Sequence, residues 1–347
     1  MQIYILLALI SFFGTLYVLP HSIRKLKNNN YVAKDMYKIN SPSIPTNCGM
    51  ILVFTSFLSI SLVPFLSRIT NIFYEVPVDN FNLIDSHLAF LLVVSVYALY
   101  GLVDDLVDIG RLFKLVLPIA FSFPLVSVIE VSSIWIPMLG NFNLEVDFFS
   151  GITYSDIFRL LIIPAYVMVV ANLVNMHSGY NGLQSGLSII IILTICFKSF
   201  LNNNLETIFP VFGILGSMIA FLLYNKYPSR AFEGNIGSQF FGSTIGVLIV
   251  IQKLWWFGFF ILIPHTFNFI LWLIWLYLMK TNSLHHLDKF GNHTKFGKID
   301  TDGFLVVPNR LTLKWVPNYY FKLTEYQTTN IMYSLTLLFC LGGIILF

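Results

Sequence analysis

The chain has 347 residues, of which 56% are hydrophobic and only 11% are charged, and its formal net charge at pH 7 is +3. A soluble domain carries roughly a quarter charged residues, so this composition excludes an ordinary soluble protein. The small positive charge is accounted for by basic loops of a membrane protein, and it gives no indication of a nucleic-acid partner.

Ten apolar runs approach the length of about 20 residues that a helix needs to cross a bilayer. We therefore predict an all-α polytopic membrane protein that forms a single domain over 1–347, since a barrel would show short alternating strands instead. The first run lacks a basic leader and a small-residue cleavage site, so we predict a retained helix. The predicted spans are 2–19, 48–67, 86–103, 112–131, 157–175, 186–201, 208–225, 238–252, 254–279 and 329–347.

The distribution of Lys and Arg predicts the orientation in the membrane. The loops after spans one, three, seven and nine are basic, whereas loop 132–156 has no Lys or Arg. Since basic loops stay on the cytoplasmic side, both termini are predicted to lie outside, in a cell membrane or an endoplasmic reticulum membrane. The basic residues concerned are Arg24, Lys25, Lys27, Lys34, Lys38, Arg111, Lys114, Lys226, Arg230, Lys280, Lys289, Lys295, Lys298, Arg310, Lys314 and Lys322.

An acidic run, Asp104, Asp105 and Asp108, follows the third span. Three carboxylates at the membrane boundary repel one another and are costly to desolvate, and a bound cation relieves both effects. Hard oxygen ligands suit Mg²⁺ or Mn²⁺. The alternative is a solvated helix end, and the run taken alone does not decide between the two.

A second polar segment closes span five and opens span six. Asn172 and Asn175 are three residues apart and share one helix face, where they either pack against a neighbouring helix or line a polar cavity. Gly179, Asn181 and Gly182 then form a close-fitting turn whose backbone N–H groups suit an anion. An Asn-Gly pair is also a common turn, so this signal is weak by itself.

Two further polar stretches lie on the same predicted face. The turn 227–238 offers Glu233 and Asn235 as oxygen ligands and Arg230 as a cation. The long loop 280–328 is predicted to hold a turn at 294–299 and a strand pair over 304–315, and it supplies His285, His286, Lys289, His293, Lys295 and Lys298. A charge-rich loop is usually a solvated surface, but all these groups at one rim fit a Mg²⁺-bound diphosphate.

These motifs resemble the polyprenyl-phosphate N-acetylhexosamine-1-phosphate transferase superfamily, which includes bacterial MraY and WecA and the archaeal and eukaryotic dolichyl-phosphate enzymes. Residues 104–108 match its DDxxD/N element, and residues 172–183 match its NxxNxxxGxNGL signature. Ile44-Pro45 resembles its first cytoplasmic motif, and residues 225–237 resemble its fourth. Lys295-Phe-Gly-Lys298 resembles a stretch of the dolichyl enzymes, so within the superfamily the chain looks most similar to the archaeal and eukaryotic branch.

The resemblance implies transfer of N-acetylhexosamine-1-phosphate, most plainly GlcNAc-1-phosphate, from a UDP-sugar to polyprenyl or dolichyl phosphate with release of UMP. This is the first step of lipid-linked oligosaccharide synthesis for N-glycosylation. It implies Mg²⁺ held by Asp105, Asn175 and Asn235, with Asp104 and Lys114 as catalytic residues. Substrate binding is assigned to Asn172, Asn181, Gly182, Arg230, His285 and His286. The oligomeric state, including a homodimer, is left open.

Two departures from the family pattern bear on activity. Asn235 stands where the family has a metal-binding Asp, and a neutral amide oxygen binds Mg²⁺ more weakly than a carboxylate. Glu233 lies two positions earlier and is a candidate to compensate. His285-His286 replaces both the three-histidine element of bacterial members and the arginine-rich element of dolichyl enzymes. A bacterial-type undecaprenyl-phosphate transferase and a catalytically weak homologue are therefore alternatives.

A polar-solute transporter is the alternative from another functional class. It predicts ionisable residues near the middle of several spans and broken helices around them. The predicted spans are nearly free of ionisable residues, and His265 in span nine is the exception. One histidine among aromatic residues is more often packed than a proton relay, so a transferase is favoured.

Overall fold

The computed structural model describes residues 2–66, 68, 83–107, 109–110, 113–281 and 296–347. Most of these residues are helical, as the apolar runs predict. The helix Tyr154–Met176 contains a π-helical turn over Phe158–Ile162, and 3₁₀ turns cover Phe123–Leu125 and Leu205–Ile208. The helices are α1 Gln2–Asn28, α2 Gly49–Ser61, α3 Asp85–Val107, α4 Phe113–Phe121, α5 Tyr154–Met176, α6 Leu183–Leu201, α7 Val211–Asn225, α8 Gly234–Ile251, α9 Trp255–Ile261, α10 Ile263–Lys280, α11 Trp315–Tyr320 and α12 Glu325–Leu346.

Seven of the described helices are long and apolar enough to cross a membrane. The pair α9 and α10 forms an eighth candidate span that is bent by 63°. The bend lies at the start of α10, where Pro264 occupies the first turn and cannot continue a preceding helix. The fourth and seventh predicted spans coincide with shorter apolar helices, so the membrane class is confirmed, and the number ten stays a prediction.

The described connections contain four antiparallel two-stranded sheets. They pair β1 Val32–Lys34 with β2 Ser43–Pro45, β3 Ser133–Ile136 with β4 Gly140–Asn143, β5 Asp147–Phe149 with β6 Ile152–Thr153, and β7 Lys298–Ile299 with β8 Leu305–Val306. The small extended segment predicted in the long loop is confirmed as β7 and β8. The strand pair over 304–315 is wrong, because Pro308 follows β8 and Asn309 accepts the N–H of Leu311 in a turn at 2.9 Å.

The loops separate into two ends of the bundle. At one end the first loop, the turn after α5 and the turn before α8 meet: the N–H of Phe232 donates to the carbonyl of Pro45 at 2.8 Å. At the other end the ring of His87 is 3.0 Å from the carbonyl oxygen of Glu206. We call the first of these the motif end, since every described candidate motif lies there. The grouping agrees with the predicted topology, and the side of the membrane stays a prediction.

The central helix is α8, whose first turn is held close between α2 and α3. A Cβ at Gly101 of α3 would lie 2.7 Å from the Cα of Ile236, and a Cβ at Gly49 of α2 would lie 2.6 Å from the Cα of Gly237. Small residues at such contacts let helix backbones approach more closely than any side chain allows. This close packing brings Asn235 against the end of α3, where the acidic run begins.

His265 lies on α10 with its ring packed edge-on against that of His177, and the ring centroids are 4.6 Å apart. Both residues are buried. His265 is therefore packed against a neighbouring ring, as the sequence predicts for a histidine among aromatic residues.

Candidate active site

Asp104 lies in the last turn of α3, with its carboxylate surrounded by donors. Its Oδ1 is 2.7 Å from the Nζ of Lys114 and accepts the N–H of Ile109 at 2.9 Å. Its Oδ2 accepts a hydrogen bond from Nδ2 of Asn235 at 3.0 Å. The residue is buried, and a buried carboxylate is stable only when cations and donors compensate it as they do here.

Asp105 binds the first turn of α8 directly. Its Oδ1 accepts the N–H of Asn235 at 3.0 Å, and its Oδ2 accepts the N–H of Ile236 at 3.2 Å. The first N–H groups of a helix have no partner within the helix, and the helix dipole favours negative charge there. Asp105 therefore fixes the position of α8 relative to α3.

Asn235 connects the two aspartates, and its side chain explains part of the departure from the family pattern. Its Nδ2 donates to Asp104, whereas its N–H donates to Asp105. An aspartate at this position has no N–H to give to Asp104 and would add a like charge beside it. The amide therefore stabilises the acidic pair in the metal-free protein.

Asp105 and Asn235 border a cleft of about 340 Å³ at the motif end, whereas the predicted catalytic residues Asp104 and Lys114 do not line it. Asp105, Asn175 and Asn235 line it together, as the sequence predicts. The remaining wall includes Asp35 and Tyr37 of the first loop, Ser178, Gly179 and Tyr180 after α5, Gln184 of α6, and Glu233 and Ser238 around the start of α8. The cleft is thus rich in oxygen atoms from carboxylates, amides and hydroxyl groups.

Glu233 is the second carboxylate next to Asn235 in this wall. Its Oε2 accepts a hydrogen bond from Nδ2 of Asn225 at 3.0 Å. Burial raises the pKa of Glu233 to about 7, although the hydrogen bond from Asn225 acts in the opposite direction. The sequence identified Glu233 as a substitute oxygen ligand, and the structure places it in the same cleft.

None of the four described residues that are predicted to bind substrate lines the cleft: Asn172, Asn181, Gly182 and Arg230. The Nδ2 of Asn172 donates to the carbonyl of Met168 within α5 at 2.9 Å, one turn away from the cleft. Arg230 is exposed, 4.7 Å from the ring centroid of Tyr224, and outside the cleft wall. Asn181 is buried behind the wall.

Asn181 joins three segments of the motif end. Its Nδ2 donates to Oδ2 of Asp35 at 3.1 Å, and its Oδ1 accepts the N–H of Ser229 at 2.9 Å. Its own N–H donates to Oε1 of Glu325 at 2.6 Å. Its N–H and both polar atoms of its side chain are bound within the protein, so its geometry is that of a structural residue.

Gly182 follows with a φ of +73°, a conformation that favours glycine. Its carbonyl accepts a hydrogen bond from the hydroxyl of Tyr333 at 2.5 Å, and a Cβ would lie 3.1 Å from the Cα of Lys226. The close-fitting turn that the sequence predicts is therefore packed against α7 and α12. His285 and His286, also predicted for substrate binding, lie outside the described residues, and so does Asp108.

Sequence reasoning missed a cluster of charged side chains that connects separate loops at the motif end. Lys38 forms ion pairs with Glu325 and, at 3.2 Å, with Oδ2 of Asp35. Lys314, from the loop before α11, donates to the carbonyl of Ser178 at 2.6 Å. The sequence carries no signal for these pairs, because loop charges far apart in the chain are indistinguishable from solvated ones.

The cleft has the donor chemistry of a site for a hard cation. Asp105 contributes a carboxylate, and Asn175 and Asn235 contribute amide groups, which are oxygen ligands of the kind that Mg²⁺ prefers. Within the described ranges, no group of three or more His, Cys, Asp or Glu residues is arranged to hold a metal. The residues therefore fit a cation that shares its coordination with a phosphate-bearing ligand, as Mg²⁺ commonly does.

Comparisons with known proteins show what the chain is similar to. Residues 87–253 match the model of glycosyl transferase family 4. A Saccharolobus solfataricus protein with the provisional name UDP-N-acetylglucosamine–dolichyl-phosphate N-acetylglucosaminephosphotransferase is 27% identical over 343 residues, covering 97% of this chain and 95% of its own length. The Schizosaccharomyces pombe enzyme of the same name is 24% identical over 83% of this chain and 70% of its own length.

Bacterial relatives match a smaller part of the chain. The phospho-N-acetylmuramoyl-pentapeptide-transferase of Borreliella afzelii is 25% identical over 278 residues, covering 70% of this chain and 72% of its own length. The family match contains the acidic pair, the asparagine signature and Asn235, which the structure brings to one end of the bundle. Over residues 87–253 the chain is similar to glycosyl transferase family 4, and over most of its length it is similar to the archaeal and eukaryotic dolichyl-phosphate enzymes named above.

Proposed function

We propose that the protein transfers GlcNAc-1-phosphate from UDP-GlcNAc to a dolichyl or related polyprenyl phosphate and releases UMP, which begins the assembly of a lipid-linked oligosaccharide. The observation that carries this proposal is the shared cleft of Asp105, Asn175 and Asn235 at the end of a membrane-spanning bundle. The names of the archaeal and yeast relatives support the choice of donor and acceptor.

In the proposed reaction an oxygen of the acceptor phosphate attacks the β-phosphorus of the donor. A bond forms between that oxygen and the β-phosphorus, and the bond from the β-phosphorus to the bridging oxygen breaks, so UMP leaves with the electron pair. The acceptor phosphate has a second pKa of about 6 and needs no strong base near neutral pH. Asp104 is buried and bound by three donors, which supports a positioning role toward Lys114 and Asn235.

We further propose Mg²⁺, or Mn²⁺ in its place, as the cofactor. Asp105, Asn175 and Asn235 would hold it, and Glu233 lies in the same wall. When bound, the cation supplies positive charge to the diphosphate and to the leaving UMP. The motif end is proposed to face the cytoplasm, because the loops that form it carry most of the basic residues.

The donor is tested by radiolabel transfer from UDP-GlcNAc, UDP-GalNAc and UDP-MurNAc-pentapeptide in parallel, each with and without Mg²⁺. We expect transfer to polyprenyl phosphate from UDP-GlcNAc, and only with Mg²⁺ present. Transfer from the muramoyl donor would instead support the bacterial-type alternative. Binding of UDP-GlcNAc without transfer from any donor would identify a catalytically weak homologue.

The substitution Asn235→Asp tests the role of the amide. We expect it to lower the free energy of unfolding of the metal-free protein by about 1–3 kcal/mol, because the carboxylate cannot donate to Asp104 and repels it. Added Mg²⁺ should raise the melting temperature more in the variant than in the wild type, since a charged ligand binds the cation more tightly. Thermal unfolding in detergent, with EDTA and with Mg²⁺, measures both effects.

The matched control is Asn143→Asp, which makes the same chemical change at an exposed residue of β4, at the opposite end of the bundle. Its melting temperature should respond to Mg²⁺ as that of the wild type does. An equal Mg²⁺ response in Asn235→Asp and the wild type would contradict the assignment of Asn235 as a metal ligand.

A further inference from the structure

Lys314 places an ammonium group directly behind the wall of the cleft. Its Nζ donates to the carbonyl of Ser178 at 2.6 Å. The same atom lies 4.9 Å from the ring centroid of Tyr180 and 5.4 Å from that of Tyr37. Ser178, Tyr180 and Tyr37 all line the cleft, so three of its wall residues contact one cation.

At Gly179 the wall of the cleft consists of backbone alone, without a side chain. This residue is exposed to the cleft and has a φ of +100°, which favours glycine. A Cβ built at Gly179 would collide with the Nζ of Lys314. The ammonium thus fills the volume that a side chain would take, and only the glycine backbone separates it from the cleft.

The charge of Lys314 is not neutralised by a contact ion pair. In the described part of the chain, the ion pairs are those of Lys38 with Asp35 and Glu325, and of Lys114 with Asp104. Burial lowers the pKa of Lys314 to about 8, while the more distant Glu325 acts in the opposite direction. Glu325 itself is bound to Lys38 and to the N–H of Asn181. A partly buried cation without a contact ion-pair partner is costly, which points to a role for its charge.

We propose that Lys314 is a positioning residue for the donor diphosphate, because its ammonium holds the Ser178-Gly179 wall in place and adds positive charge behind it. This inference rests on the proposed function, since it takes the ligand of the cleft to be a nucleoside diphosphate. The affinity for the diphosphate should then depend on the ammonium, whereas the affinity for the nucleoside alone should not.

Tyr37, Tyr180 and His177 keep their charge state where Lys314 titrates, whereas Glu233 in the same cleft gains its negative charge around its pKa of about 7. Burial raises the pKa of Tyr37 and that of Tyr180. Burial, followed by the effects of His265 and Lys314, lowers the pKa of His177 well below its usual value, so this ring is neutral above pH 7. The terminal phosphate of UDP is already ionised there, with a second pKa of about 6. Lys314 is charged below its pKa of about 8 and neutral above it, so UDP affinity should fall as pH rises through about 8. Lys314→Arg stays charged throughout this range, so comparison with it separates the effect of Lys314 from that of Glu233.

The experiment measures the Kd for UDP and for uridine by calorimetry on the purified full chain at fixed Mg²⁺. We expect Lys314→Met to weaken UDP binding about tenfold at neutral pH, with uridine binding unchanged. Lys314→Arg retains the charge and should retain most of the UDP affinity. Lys322→Met, an exposed lysine of the same loop, is the matched control and should bind UDP as the wild type does.

Three results would overturn the inference. One is unchanged UDP affinity in Lys314→Met, and another is an equal loss for UDP and uridine, which would show that Lys314 only shapes the wall. The third is a wild-type UDP affinity that stays flat as pH rises through about 8, and this measurement decides the matter if Lys314→Met does not fold. Failure of the wild type to bind UDP at all would instead reject the proposed function.

Discussion

Replacing Asp105 by Asn is expected to reduce Mg²⁺-dependent UMP release by about a hundredfold or more. Asn175 and Asn235 bring neutral amides to the proposed cation site, so Asp105 supplies its negative charge. The new amide also loses one of the two hydrogen bonds to α8, because its nitrogen cannot accept an N–H. UMP release is measured on purified protein with UDP-GlcNAc and polyprenyl phosphate, and Mn²⁺ binding is measured separately by electron paramagnetic resonance.

The matched control is Asp85→Asn, which makes the same change at the exposed first residue of α3, at the other end of that helix. It should release UMP at the wild-type rate. Turnover and Mn²⁺ affinity that are both unaltered in Asp105→Asn would remove this residue from the cation site. A lower melting temperature with normal Mn²⁺ binding in Asp105→Asn would show that Asp105 only fixes the position of α8.

Asn181→Leu is expected to lower the free energy of unfolding by about 3 kcal/mol, the largest stability effect that we predict for a single side chain. The apolar side chain leaves Oδ2 of Asp35 and the N–H of Ser229 without the partner that Asn181 gives them. Both residues are buried, so water does not freely replace that partner. Thermal unfolding in detergent measures the loss.

Asn141→Leu is the control, because Asn141 is an exposed residue of β4 at the opposite end of the bundle. Its free energy of unfolding should lie within about 0.5 kcal/mol of that of the wild type. The resemblance had assigned Asn181 to substrate binding. A normal melting temperature with a raised KM for UDP-GlcNAc in Asn181→Leu would favour that assignment over the structural one.

The sequence was sufficient to bring Asp105, Asn175 and Asn235 together. Each lies where a long apolar helix begins or ends, and successive spans alternate in direction. The count of spans and the basic loops therefore place all three ends at one rim, without any knowledge of side-chain contacts. The membrane class follows for the same reason, since hydrophobic length is a local property of the sequence.

Side-chain direction is what the sequence could not supply. A spacing of three places Asn172 and Asn175 on one face of α5, but nearly one helical turn, about 5 Å, separates them along the axis. Only the outer residue reaches the cleft, and the inner amide donates to Met168. Arg230 lies in the expected turn, yet its long side chain extends over Tyr224.

Contacts between distant loops were equally beyond the sequence. Lys314 and Ser178 are 136 residues apart, and Asn181 and Glu325 are 144 residues apart. Nothing local distinguishes such residues from solvated charges, because their roles depend on the order in which the helices pack. The same applies to Asn235, whose amide the sequence showed as a weakened ligand and the structure shows as a donor to Asp104.

The cluster of Lys38, Asp35, Asn181 and Glu325 has a consequence for biogenesis. Lys38 and Glu325 are separated by 287 residues, so the ribosome makes one in the first loop and the other only at the start of the last helix. Until α12 has been synthesised and inserted, Lys38 and Asn181 lack their shared carboxylate. This end of the molecule can therefore assemble only after α12 has been made, and a nascent chain that has not yet reached α12 carries its acidic pair without the finished cleft.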